Sequence, residues 1–137
     1  MTYSIVIVAY RKPGTTPEQF KAHYENSHIP LVRELAGQHF PLSHTRHYIR
    51  RSEGTAADGT DRNPTTPATV LMGSQADFDY DAYSELIFED VASFQTFCSV
   101  VQQPENAAKI AADEEKFLDR TKILIVSLGD TNVTSRT

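Results

Sequence analysis

The chain has 137 residues, 39% of them hydrophobic and 23% charged, which suits one globular domain over residues 1–137. With 13 Lys and Arg against 18 Asp and Glu, its net charge of −5 argues against nucleic acid as a partner, because phosphate backbones need a cationic surface. The single cysteine, Cys98, excludes an intramolecular disulfide, and the opening apolar run Ile5–Ala9 is too short to span a bilayer or serve as a leader. We therefore expect no membrane association and a cytoplasmic location.

Tyr3 to Tyr10 is β-branched and aromatic, and predicts a strand that is apolar on both faces. Arg11-Lys12-Pro13-Gly14 ends it with turn chemistry. Thr16, Pro17 and Gln19 read as an N-cap, a first-turn proline and a capping box. The helix they open should run to about Ser27. Pro30 has no N–H and should break it, leaving Leu31–Ala36 as a second short helix.

Ser43 to Arg51 predicts a second strand, and the Gly-, Thr-, Asp- and Pro-rich stretch from Ser52 to Pro67 a long surface loop. Thr69–Met72 could be a short extended piece. Tyr80–Phe88 reads as a third strand. A helix then starts at Glu89-Asp90, with Val91, Phe94, Cys98 and Val101 on one face. Pro104 opens another, with Ala107, Ala108, Ile110 and Ala111 inward. Lys122–Leu128 is the last strand, and residues 130–137 form a polar tail.

The order β, α, β, β, α, β is the split βαβ plan of ferredoxin-like α+β folds: a four-stranded antiparallel sheet with helices on one face. The first and last strands are apolar on both faces, so the uncovered sheet face should meet a second copy of the chain.

Two histidines precede the predicted helix break. His28 lies near the apolar face set by Phe20 and Tyr24, where a titratable imidazole can move protons; it could equally cap a freed carbonyl. His23, five residues earlier, does not share its stripe and reads as a surface residue. The Tyr24 phenol could orient a substrate hydroxyl, though core packing competes. On the second strand, alternation puts His44, Arg46, Tyr48 and Arg50 on one face and Thr45, His47 and Ile49 on the other. Either face could line a cleft, so His44, Arg46, Tyr48 and His47 are all candidates for binding an acidic or phenolic ligand; a dimer interface is the competing role. Asp81 or Glu85 could pair with a histidine. Asp77, Asp79 and Asp81 lack the glycine and distal glutamate of a calcium loop, and no zinc, nucleotide or hydrolase motif is present.

Several stretches together resemble the EthD-domain family of the dimeric α+β barrel superfamily. They are Tyr10–Gly14, Pro17–Glu25, Ser27–Val32, Tyr80–Phe88, Pro104–Ala108 and Asp113–Asp119, so the likeness covers residues 3–129. The resemblance is strongest to small fungal EthD-like proteins, some of them tied to aromatic polyketide pathways in secondary metabolism. It implies a homodimer formed through sheet faces, no cofactor, and His28 as the family's histidine before Pro-Leu, acting as general acid or base. The implied activity is a dehydratase- or decarboxylase-type lyase, or an isomerase, acting on an aromatic polyketide-like molecule. A cofactor-free monooxygenase of the same superfamily and a non-catalytic dimeric ligand-binding protein stay open as alternatives.

Overall fold

Four extended segments, whose successive side chains point to opposite faces, build the sheet. In the computed structural model, which describes residues 1–52 and 62–137, the strands are β1 (Tyr3–Ala9), β2 (Ser43–Tyr48), β3 (Ala82–Phe88) and β4 (Leu124–Ser127). They form one antiparallel sheet in the order β2-β3-β1-β4. This is the ferredoxin-like α+β arrangement expected. The pairs Ile5↔Leu86 and Ala9↔Ala82 set the register, so Ile5, Ile7, Ala9, Ala82, Leu86 and Phe88 point to one side. That side faces the helices.

The helical layer begins with α1 (Pro17–His23), capped by the predicted box: Thr16 accepts from the Gln19 N–H, and the Gln19 side chain accepts from the Thr16 N–H. The expected break does not occur. The chain passes through one π-helical turn, Tyr24–His28, straight into α2 (Ile29–Ala36). The Ile29 N–H reaches back five residues to the Tyr24 carbonyl, and Pro30, which has no N–H to give, follows at once. Gly37 ends α2 at a φ of 55°, a conformation that favours glycine.

Beyond β3, Asp90 caps α3 (Val91–Val101) by accepting from the Ser93 N–H. Pro104 opens α4 (Pro104–Glu114). Two details differ from expectation. Val91 is exposed, and Phe97 joins Phe94, Cys98 and Val101 on the inner face of α3; on α4, Ala108 is exposed and Asp113 is buried instead. A chain of aromatic contacts joins the layers: Phe20 and Tyr24 of the long helix both meet Phe117 and Tyr48.

Part of the predicted surface loop is interior. Asn63 is fully buried and accepts from Arg11 Nη1 at 2.6 Å. Arg11, also buried, donates to Asp81 at 2.6 Å, and Arg51 shares the same carboxylate at 3.2 Å. Asp81 thus pairs with arginines rather than with a histidine, and Glu85 sits on the sheet face away from the helices, opposite Thr45 and Val6. Residues 53–61 of that loop lie outside the described residues. Thr69–Met72 forms no strand; the extended pairing there is a single bridge, Arg51↔Ala68.

The other sheet face carries Val6, Val8, Tyr83, Ile87, Leu124 and Val126. Leu124, Val126 and Tyr83 keep 54%, 57% and 40% of their surface exposed. Among the described residues, no element covers this face.

Candidate active site

The π turn overturns the view of His23 as a bystander. Extra residues per turn bring positions five apart onto one side of the helix. Both imidazoles therefore reach the buried Asp113 of α4. His28 Nδ1 lies 2.9 Å from Oδ2, and His23 Nε2 lies 2.9 Å from Oδ1, which also accepts from Ser27 Oγ at 2.8 Å. His23 stacks on Phe117, and His28 is held between Phe117 and Tyr24. Asp113 is the functional neighbour that sequence reasoning missed. It lies 85 residues from His28 in the chain, within a run of three acidic residues that gives no hint which one turns inward.

The electrostatics follow from this arrangement. Burial, the largest influence, lowers the His28 pKa, while the Asp113 hydrogen bond and the Glu114 charge oppose it. Burial pushes Asp113 upward, but hydrogen bonds from Ser27, His28 and His23 together outweigh it, so the carboxylate titrates below its usual range. Asp113 thus favours the His28 tautomer with Nδ1–H toward the carboxylate, which leaves Nε2 unprotonated in the neutral ring.

The His28 ring lines a cavity of about 270 Å³ between sheet and helices. Its walls are mostly apolar: Ile5, Ile7, Leu86 and Ile125 from the sheet, Val32 from α2, and Phe94, Phe97 and Val101 from α3. Tyr24, His44, Gln102 and Glu114 supply the polar groups beside His28, and Glu114 is ion-paired with Arg120 at 3.3 Å. Burial raises the Tyr24 pKa, so the phenol stays protonated as a donor. Burial, and then the Arg46 charge, push His44 down to about 4, so it is neutral at pH 7. His44 Nε2 is buried without a hydrogen-bond partner, an uncompensated polar atom in the wall of an apolar hollow. Cys98 also lines the cavity, with its pKa raised by burial, and so stands there as a thiol rather than a thiolate.

The four second-strand candidates separate. His44, Arg46 and Tyr48 face the helices, which resolves the choice of face. Only His44 lines the cavity. Arg46 binds Glu25 of the π turn through two bonds of 2.6 and 3.0 Å, and Tyr48 donates to the same carboxylate. Burial and Glu25 raise the Tyr48 pKa. These two tie β2 to the helix instead of lining the hollow. His47 is corrected outright: it lies on the opposite sheet face, stacked on Tyr83 at 4.7 Å. Among the described residues, no three His, Cys, Asp or Glu side chains converge as a metal site.

The EthD domain pattern matches residues 12–121. The chain belongs to the EthD family. A curated relative, decarboxylase claH of Passalora fulva, is 27% identical over 131 residues, covering 91% of this chain and 73% of that protein. Among solved structures, an EthD-family protein from Bacillus halodurans aligns with a TM-score of 0.55 at 19% identity, over 96% of this chain and 100% of that one. An EthD-like protein from Ralstonia eutropha aligns with a TM-score of 0.51 at 16% identity, over 93% and 87%. At these identities the two structures speak to the fold alone. Within this EthD chain, the histidine before Ile29-Pro30 lines the cavity together with His44.

Proposed function

We propose that this EthD protein is a cofactor-independent lyase of the decarboxylase type, acting on a hydroxylated aromatic acid of polyketide kind, and that it works as a homodimer. The observation that carries the reading is the Asp113–His28 pair opening into an apolar cavity beside Tyr24 and His44. The 27% identity to a decarboxylase supports the reaction class. The uncovered apolar sheet face supports the dimer.

The chemistry needs only proton transfers. Neutral His28 Nε2 takes the proton of a ring hydroxyl ortho to the carboxylate. Asp113 stabilises the imidazolium formed. His28 then delivers that proton to the carbon bearing the carboxylate, giving a ring ketone. The bond to the carboxylate breaks, its electron pair restores the aromatic ring, and carbon dioxide leaves. The phenolate product takes one proton from water. Tyr24 donates to the developing oxygen charge, and His44 Nε2 gains its missing partner on the substrate. Water excluded by the apolar walls strengthens each of these contacts.

The test is headspace carbon dioxide and dissolved oxygen measured with hydroxylated naphthoic and anthraquinone carboxylic acids. We expect stoichiometric carbon dioxide without oxygen uptake, and a loss of about 10²–10⁴ in kcat for His28→Gln with the fold retained. Oxygen consumption would mark a monooxygenase instead. Tight ligand binding with no product would leave a binding protein, and full activity in His28→Gln would remove the proposed base.

A further inference from the structure

The cavity has an antechamber. A second hollow, about 340 Å³, shares Ile29, Phe40 and His44 with the first and adds Arg33 and Arg46. The two chambers differ in character: the inner one is walled mainly by aliphatic and aromatic side chains, with Glu114 its one carboxylate, and the outer one carries two guanidinium groups. Arg46 is neutralised by Glu25. Arg33, one turn beyond Ile29 on α2, is exposed, and among the described residues no carboxylate pairs with it. On a chain of net charge −5, the hollow that adjoins the cavity at Ile29, Phe40 and His44 is thus a local site of positive charge.

Resting on the lyase reading and deepening it, we infer that Arg33 captures the carboxylate of the incoming aromatic acid, with Phe40 and His44 forming the threshold to the inner cavity. The ring system seats itself among the apolar walls while the charged end trails toward the antechamber. Because Arg33 is solvated, its pull is screened by salt and acts on encounter and retention rather than on the chemical step. Loss of carbon dioxide removes the charge that Arg33 holds. The same contact that gathers the acid therefore releases the neutral product.

The experiment compares Arg33→Gln with the unmodified protein, using a hydroxynaphthoic acid and the naphthol that its decarboxylation would give. Dissociation constants are measured by fluorescence titration at low and high salt. The acid should bind about 3–10-fold more weakly to the variant at low salt, with the gap closing at high salt and the naphthol unaffected. Where turnover is seen, the loss should fall on KM rather than kcat. Lys109→Gln, which removes the same charge from the far side of α4, should change neither ligand. Equal binding of the acid by both proteins, equal weakening of acid and naphthol, or no preference for the acid in the unmodified protein would each overturn the inference. Binding is read without turnover, so absent carbon dioxide would sink the lyase reading while these constants still decide the role of Arg33.

Discussion

At the scale of single residues, Asp113 and His44 govern how the site responds to pH. Asp113 raises the His28 pKa against the effect of burial. Asp113→Asn should therefore move the His28 limb of the kcat/KM profile to lower pH and reduce kcat about 10–100-fold, as loss of an orienting carboxylate does. His44 gives a stability prediction. Its folded pKa is about 4 against an ordinary 6.5, so the unfolded chain binds the extra proton first as pH falls. The contribution is complete above pH 6.5 and is lost progressively toward pH 4, on the order of 2–3 kcal/mol. Urea unfolding across that window should show a shallower acid loss for His44→Leu than for the unmodified protein. Two of these polar groups were legible in the sequence, since His28 and Tyr24 sit at positions whose spacing marks the apolar helix face; His44 was a candidate whose face alternation left open. Asp113 was not legible, because which of three consecutive acids points inward depends on how α4 packs against the π turn.

At the scale of elements, the long helix is held to β2 by Glu25, which binds both Arg46 and Tyr48. The Glu25 and Arg46 side chains are 33% and 19% exposed, so solvent screening trims the interaction. Glu25→Ala should cost about 1–2 kcal/mol in denaturant unfolding, and a double-mutant cycle with Arg46→Ala should recover most of that as coupling. The capping box at Thr16 and Gln19 and the start at Pro17 could be read directly from residue types, because caps depend on neighbours in the chain. The π turn could not. A proline in a helical pattern predicts a break under ordinary α geometry, and residue types alone do not show the wider turn in which His23 and His28 both meet Asp113. The face assignment of β2 was open for the same reason: alternation separates His44 from His47 but does not say which side the helices cover.

At the scale of the whole molecule, strand order and layer arrangement followed from the β, α, β, β, α, β pattern, and the two-sided apolarity of β1 and β4 pointed to an uncovered face that the structure does contain. Its apolar ridge of Val6, Val8, Leu124 and Val126 makes the proposed dimer open to a direct test. Val126→Lys places an unpaired charge in that ridge, where desolvating it is costly. Sedimentation velocity should show a dimer for the unmodified chain and a shift of the population to monomer for the variant, with far-UV circular dichroism unchanged. A monomer in both would remove the dimer.

β4 is four residues long, with Ile125 in the wall of the cavity and Leu124 and Val126 on the reverse. On the proposed function, a guest on one side and a twin chain on the other would lean on the same narrow ribbon. Should the proposed guest and the proposed twin feel each other through that ribbon, linkage requires the effect to be equal in both directions.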